Sequence, residues 1–251
     1  MPYPSDLTDT QWVIIESLLP RTKDRGTPRK HSIREIMNAI FFICKTGCPW
    51  RYLPKDYPPW STVYKYFLYL NNKNYFEQMN SALTKTARKA VGRKETPSLV
   101  CIDSQSVKGD VNLREKGIDG NKKVIGRKRH IVTDVLGLIL FCTITAANVS
   151  DIHPGRDFLE KIQAIKTIEK VLVDKGYTGL QSKNSKPIVE ITSKNSEIEG
   201  FVPVFKRWVV ERTFAWLNRQ RRLAKDYEVN PVHHEAMVYI AMSKIILNRI
   251  G

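Results

Sequence analysis

Two short apolar segments of the sequence each end at an aspartate. Residues 98–102 run directly into Asp103, and residues 170–173 run directly into Asp174. Short apolar runs of this kind are typical of buried β-strands, and functional sites of α/β sheets lie at the carboxyl ends of strands. We therefore expect the two carboxylates to meet at one sheet edge, although either alone is more often a turn residue or a helix cap.

A third acid is expected at Glu211, which is the lone acid of a segment otherwise apolar or basic. At helical spacing, Arg207 and Asn218 fall near the same face as Glu211. An ordinary helical ion pair, contributing about 0.5 kcal/mol or less, is the alternative. Asp134 and Asp151 also follow candidate strands and compete for this role. Three clustered carboxylates repel one another unless cations neutralise them, which favours Mg²⁺.

The charge of the chain indicates a polyanionic partner. Its 251 residues contain 41 Lys and Arg against 25 Asp and Glu, a net charge of +16. Nucleic acid is the commonest partner of such a chain. The cations concentrate in three runs around residues 85–94, 121–130 and 207–225. A hydrophobic content of 42% excludes a disordered or fibrous chain.

The first part of the chain is predicted to be helical. Capping-box patterns begin at Thr8 and at Ser32, Ser61 is a candidate cap for a third helix, and a fourth helix covers residues 76–90. Basic connectors between short helices suit a DNA-binding module, with a plain helical bundle as the equal alternative. We assign residues 1–95 to this helical DNA-binding or assembly domain.

From residue 96 the pattern predicts a mixed sheet followed by helices. Strands are expected at residues 98–102, 127–134, 137–147, 170–173 and 188–191, with helices at 157–165, 207–222 and 234–248. The expected fold class is therefore α/β, in a catalytic domain of residues 96–251. The longest uncharged run, residues 135–150, is too short for a spanning helix, so a soluble, cytoplasmic protein without a membrane partner is expected.

Several long motifs occur in a fixed order along the chain. They are LTDTQW (7–12), TGCPWR (46–51), PPWSTVY (58–64), IDSQSVK (102–108), GRKRH (126–130), DKGYTG (174–179) and WVVERTFAWL (208–217). With these motifs, nearly the whole chain resembles the DDE transposases of bacterial insertion sequences, in the IS-five group of the IS-four-like superfamily.

The resemblance implies a ribonuclease H-like core with Asp103, Asp174 and Glu211 as catalytic triad and metal ligands. It implies Mg²⁺ as cofactor, for which Mn²⁺ can substitute. It also implies a two-metal mechanism of phosphoryl transfer, in which water cleaves the DNA at the ends of the element and the freed 3′-hydroxyls attack target DNA. The implied partners are the terminal inverted repeats, target DNA and further copies of the chain in a homodimer or larger homo-oligomer on the nucleoid.

Contacts to DNA phosphates are predicted from the basic runs beside this triad. The expected residues are Lys108, Lys122, Lys123, Arg127, Lys128, Arg129, His130, Arg207, Arg212, Arg219, Arg222 and Lys225. The tryptophans could stack on a splayed base but are more often core residues at such spacing.

Two departures from the superfamily pattern are visible near Glu211. The signature Tyr-x2-Arg-x3-Glu-x6-Lys has Val204 in place of its Tyr and Asn218 in place of its Lys, and residues 179–207 form a short connection for a relative of this kind. A DNA-binding repressor without catalysis and a ribonuclease H-like nuclease that cuts without strand transfer are the alternative functions.

Overall fold

The computed structural model describes residues 3–20, 30–180, 186–192 and 208–251. Its helices are α1 (Asp9–Glu16), α2 (Ile33–Thr46), α3 (Trp60–Asn72), α4 (Tyr75–Ala90), α5 (Ile152–Gln163), α6 (Trp208–Asn218), α7 (Arg221–Ala224) and α8 (Pro231–Ile250). Its strands are β1 (Leu99–Lys108), β2 (Gly117–Asp119), β3 (Val124–Asp134), β4 (Ile139–Ala146), β5 (Lys170–Val173) and β6 (Ile188–Ile191). The mixed α/β class expected from the sequence is confirmed.

The predicted caps begin the first two helices. Ser32 accepts a hydrogen bond from the Glu35 amide (3.1 Å), and the Glu35 carboxylate accepts one from the Ser32 amide (2.8 Å), which completes the capping box of α2. Thr8 accepts from the Gln11 amide at 3.1 Å. The Gln11 side chain does not close the reciprocal bond, because it donates instead to α8 at Leu247 O and Asn248 Oδ1.

The sheet combines an antiparallel part with a parallel part. Its strand order is β2-β3-β1-β5-β6, and β4 also pairs with β3. The strand β3 is antiparallel to both β1 and β4, and β3 and β4 are joined through a turn at Leu136–Gly137 as the sequence predicted. The strands β5 and β6 run parallel to β1, so the centre of the sheet is where the direction of pairing changes.

The alternation of side chains along β1 places the two faces of the sheet against different cores. Cys101 and its partners on one face pack with α2, α3, α4 and α8 in one large apolar core. Val100 and Ile102 face the other way and pack on α5 through Phe158 and Ile162. Since the large core contains residues from both sides of position 95, the two predicted domains share one interior, and the boundary there remains a prediction.

Several predicted helix bounds were wrong. The single helix expected over 207–222 is interrupted after Asn218 and continues as the separate helix α7, and α8 begins at Pro231 rather than at 234, because proline is well accommodated in a first helical turn. Helix α3 begins at Trp60 with Pro59 as its cap residue, and Ser61 is not its cap, because the Pro59 carbonyl already accepts from Thr62 and Val63. Helix α5 begins at Ile152 rather than at 157, because Pro154 lies in the first helical turn, where a missing amide costs nothing. No helix in the described ranges is long and apolar enough to cross a membrane.

Candidate active site

The register of the parallel pair brings the two predicted aspartates together. The strands β1 and β5 pair Leu99 with Lys170, Val100 with Val171 and Cys101 with Leu172, a constant offset of 71 residues. Asp174 follows β5 with extended backbone (φ −89°, ψ −179°), so the same offset sets Asp103 beside Asp174. Neighbouring strands lie about 4.8 Å apart. The two carboxylates therefore lie where the parallel pairing ends, as the sequence predicted. The prediction that the first strand ends at residue 102 was wrong, because β1 continues through Lys108 by pairing with β3, so Asp103 lies within the strand.

Backbone amides hold both carboxylates in place. Asp103 is 9% exposed, and its Oδ1 accepts a hydrogen bond from the Ser104 amide at 2.7 Å. Asp174 caps the 3-10 turn Lys175–Tyr177, and its Oδ1 accepts from the Gly176 amide at 2.9 Å. Hydrogen bonds of this kind fix the orientation of the two carboxylates.

A further acid lies against the same edge from helix α5. A Cβ placed on Gly176 would lie 3.1 Å from Asp174 Oδ1 and 3.4 Å from Asp151 Oδ2, so Gly176 separates these two carboxylates. Burial and the charges of Asp151, Asp103 and Asp174 raise the pKa of the buried Tyr177 hydroxyl. Asp151 therefore lies near Asp174, and the sequence indicated it only as an alternative third acid.

Helix α6 carries Glu211 over the face of the sheet on which Asp103 lies. Thr213 donates to the Gly137 carbonyl (2.9 Å), and Asn218 Oδ1 accepts from Arg129 Nη1 (3.3 Å), which also binds Gln105 of β1 (3.3 Å). Gln105 points to the same face as Asp103, two residues earlier. Glu211 is exposed and precedes Asn218 by two turns on the same helical stripe.

The structure does not gather the three predicted acids into one metal-binding group. Within the described residues, no three His, Cys, Asp or Glu side chains form a cluster that could hold a metal ion. Asp103 and Asp174 are neighbours by register, whereas Glu211 is exposed on α6 and belongs to no such cluster. A pair of carboxylates nevertheless suits Mg²⁺, which is usually held by one or two carboxylates together with substrate phosphates and water.

The prediction that Arg127 and Arg129 contact DNA was wrong. Both guanidinium groups lie inside the fold, 1% and 0% exposed. Arg127 binds Asp226 at 3.0 Å and the Glu228 and Val229 carbonyls. Arg129 donates to His234 Nε2 at 2.8 Å, whose Nδ1 lies 2.7 Å from Asp226.

We name the residues Arg127, Arg129, Asp226 and His234 the buried charge network. It joins β3 to α8 and to the segment after α7. Their neighbours in the folded chain lie about 100 positions away, so the local sequence gave no sign of this pairing.

His130 and Arg222 are also buried, which corrects their assignment as DNA contacts. His130 Nε2 lies 2.9 Å from Thr145 Oγ1, and burial lowers the pKa of His130 to about 4, so the ring is neutral at pH 7. Arg222 binds Glu228 at 2.6 Å and the Cys48 carbonyl at 3.2 Å. Both side chains therefore stabilise the interior.

The other predicted cations differ in exposure. Lys108, Lys122, Lys123 and Arg219 are exposed. Three are partly covered: Lys128 is held by Asp151 (3.1 Å), Lys225 by Asp110 (3.2 Å), and Arg212 lies between the Trp208 and Trp216 rings (4.4 and 4.6 Å). Arg207 and Val204 lie outside the described residues.

Known families match both parts of the chain. The family model described as "Putative transposase of IS4/5 family" matches residues 7–80, and the model described as "Transposase DDE domain" matches residues 94–198. A curated relative, "Putative transposase for insertion sequence element IS402" of Burkholderia cepacia, is 30% identical over 136 residues, covering 50% of this chain and 64% of the relative. This chain thus spans less than two thirds of that relative. No solved structure matches.

A mixed sheet with paired aspartates at its carboxyl edge, covered by a helix that carries an acid, defines the ribonuclease H-like class of fold. The chain resembles the IS4-like DDE transposases over most of its length, because one family model matches residues 7–80 and the other matches residues 94–198. The expected fold and the expected resemblance are thereby confirmed.

Proposed function

We propose that this chain is a DNA transposase that cleaves the ends of an insertion sequence and transfers the 3′-hydroxyl ends into target DNA. Its acidic triad is Asp103, Asp174 and Glu211. The observation that supports this most directly is the register of β1 and β5, which sets Asp103 beside Asp174 on the face that α6 covers. The resemblance to DDE transposases supports the class of reaction.

The acidic edge fits a divalent cation. Asp103 and Asp174 supply oxygen ligands, the type that Mg²⁺ and Mn²⁺ accept, and Gly176 leaves the space between Asp174 and Asp151 open. Glu211 projects from a separate helix and completes the set when DNA is bound. When bound, the cation lowers the pKa of water and stabilises charge on the leaving oxygen.

The reaction needs no nucleophile from the protein. In the first step a water oxygen bonds to phosphorus and the bond from phosphorus to the 3′ oxygen breaks, which leaves a 3′-hydroxyl at the end of the element. In the second step that 3′ oxygen bonds to a target phosphorus and displaces the adjoining 3′ oxygen of the target strand. The protein's own task is to align these groups and to hold the phosphates beside the carboxylates.

Exposed cations near the acidic edge hold the DNA backbone. Lys108 ends β1 five residues after Asp103, about 17 Å along an extended strand. Lys122 and Lys123 lie in the turn between β2 and β3, and Arg219 directly follows α6. Lys128, Arg212 and Lys225 are partly covered and contribute mainly to the local field. Arg207, which the helical spacing of the sequence predicts one turn before Glu211, adds a further contact to the phosphates.

The partners are double-stranded DNA of the terminal inverted repeats, target DNA, and a second copy of the chain. Transfer of two ends into one target requires two active sites, so the working species is a homodimer or a larger homo-oligomer on the DNA. The protein acts in the cytoplasm, on the nucleoid.

The test uses duplexes carrying the terminal sequences that flank the gene, incubated with Mg²⁺ or Mn²⁺. We expect nicking at the ends and joined products with the wild-type chain. Asp103→Asn, Asp174→Asn and Glu211→Gln should each lower cleavage at least 1,000-fold, since each removes a charge on which transition-state stabilisation depends, and should keep DNA binding.

The matched control is Glu160→Gln, an exposed carboxylate on α5 that should leave cleavage unchanged. Persistent cleavage in one of the triad variants would remove that residue from the site. Specific binding without nicking would favour the repressor, and nicking without joined products would favour the nuclease.

A further inference from the structure

A pocket lined by aromatic rings lies on the N-terminal helical part of the molecule, away from the acidic edge. It has a volume of about 330 Å³ and is lined by Pro49, Trp50, Arg51, Tyr52, Trp60 and Tyr64. These residues come from the 3-10 turn Trp50–Tyr52 and from the first turns of α3. The volume is close to the lower end of the range for small-ligand pockets, roughly 300 Å³.

The floor of this aromatic pocket is anchored to the core. Trp50 meets Tyr64 edge to face (5.1 Å between ring centroids) and Phe67 at a tilt (5.1 Å). Phe67 is completely buried in the large apolar core, so these contacts fix the orientation of the Trp50 ring. The pocket is therefore preformed, and binding a flat ring requires little reorganisation.

Its rim, in contrast, presents rings to solvent. Tyr52 is 77% exposed, although its neighbours in the turn offer apolar contacts. The Arg51 guanidinium lies 4.6 Å from the centre of the Trp60 ring, which places a cation on the face of an aromatic wall. Exposed apolar surface gathered in one patch marks an interaction site.

The cation that lines the pocket, Arg51, and the basic segment packed on the turn before Trp50 indicate what the pocket binds. The turn that precedes Trp50 packs on the C-terminal basic segment: a Cβ on Gly47 would lie 3.1 Å from Arg221, and Arg222 donates to the Cys48 carbonyl. Arg221 and Lys45 are exposed on this side of the turn. Flat aromatic faces beside positive charge match a nucleotide, whose base stacks while its phosphates pair with the cations.

We propose that this pocket binds one unpaired nucleobase of the DNA substrate, stacked on Tyr52 and Trp60, with Arg51 at the neighbouring phosphate. The inference rests on the proposed function for its choice of DNA as partner. It assigns to the N-terminal helices a direct contact with a base, whereas the acidic edge acts on the phosphodiester. An unpaired base is required because all ring faces of a paired duplex are covered by stacking.

The probes are a 12-nucleotide single strand of thymidines with one central 2-aminopurine and its fully paired duplex. The full-length chain should quench 2-aminopurine fluorescence on binding the single strand. Tyr52→Ala should weaken single-strand binding about 5- to 100-fold, the effect of removing one stacked ring, and abolish most of the quenching. Tyr52→Phe keeps the ring and should bind within about twofold of wild type.

Duplex binding separates this inference from the proposed function. Tyr52→Ala should leave the affinity for the paired duplex within about threefold of wild type. Equal single-strand affinity and quenching in Tyr52→Ala and wild type would overturn the pocket assignment while the transposase proposal stands. If wild type binds neither single strand nor duplex, the transposase proposal fails as well.

Trp60→Phe serves as a second variant, because it retains an aromatic wall and the fold. Weaker quenching in this variant, with circular dichroism unchanged, would support the assignment. A change in the sedimentation of Tyr52→Ala without DNA, at constant single-strand affinity, would instead make the pocket a contact between two copies of the chain and overturn the assignment.

Discussion

Two groups of charged residues lie on the same face of the central strands and have opposite surroundings. The acidic edge of Asp103 and Asp174 lies at the end of the parallel pair, held by backbone amides. The buried charge network of Arg127, Arg129, Asp226 and His234 lies farther along β1 and β3, sealed beneath α8. Charge density in a sequence therefore does not distinguish cations that bind a partner from cations that form ion pairs and hydrogen bonds inside the fold.

The largest effect is expected from breaking the buried network. Arg129→Met leaves buried His234 Nε2 and the Leu223 carbonyl without their guanidinium partner, so the free energy of unfolding should fall by about 3–5 kcal/mol. Lys122→Met, the exposed control, removes the same charge and should change it by less than about 0.5 kcal/mol. Urea denaturation of both variants measures the difference. Equal stabilities would mean that Arg129 is not a structural residue.

The acidic edge should respond to a single added methyl group. Gly176→Ala places a Cβ 3.1 Å from Asp174 Oδ1, tighter than an ordinary contact, and should lower DNA cleavage about 10-fold by displacing this carboxylate by a few tenths of an ångström. Gly120→Ala, with nothing near its added Cβ, is the matched control and should cleave normally. Normal cleavage by Gly176→Ala would show that the space between these carboxylates has no role.

A third prediction concerns an acid that belongs to neither group. Burial, and next the charge of Glu77, raise the pKa of Glu235 to about 7 from its ordinary 4.5. Because the folded state then holds the proton more tightly, stability should fall as pH rises from about 4.5 to 7. Glu235→Gln should remove this loss and stabilise the protein at pH 8 by about 1–3 kcal/mol. Identical unfolding curves for both proteins at pH 8 would refute the shift.

The smallest effect is expected from the exposed cations. Lys108→Ala and Lys122→Ala should each reduce the slope of log affinity against log salt by about 1, because each removes one phosphate contact. Lys170 on β5 is a cation paired with Glu190 on β6, so Lys170→Ala should leave the slope unchanged. Fluorescence anisotropy at several salt concentrations gives the slopes. An equal change in all three variants would indicate a general effect of net charge.

The strands were the easiest part of the fold to predict. Residues 170–173 and 188–191 are strands with the predicted bounds, because short runs rich in β-branched residues between polar segments favour strands and are too short for helices. The strand β2 was missed, since three residues are too few to show an alternation of apolar and polar side chains. Asp174 therefore follows the fifth strand in chain order rather than the fourth. The start of α5 was misplaced because a proline inside a first turn looks the same in sequence as a proline before a helix.

The site was predictable only as far as local patterns extend. The positions of Asp103 and Asp174 followed from where apolar runs end, and their equal offset of 71 residues is also the strand register. The proximity of Asp151 to Asp174 depends on how α5 packs, and the burial of Arg129 depends on α8, about 100 residues away. Such long-range contacts leave no periodic signal in a single sequence.

The central claim is that Asp103 and Asp174 form a cation site at the edge of the sheet. Isothermal titration of Mn²⁺ into the full-length chain without DNA tests it most directly. Wild type and Glu160→Gln should bind with equal affinity, while Asp103→Asn and Asp174→Asn should each bind at least about tenfold more weakly. Binding of equal affinity in all four proteins would contradict the account.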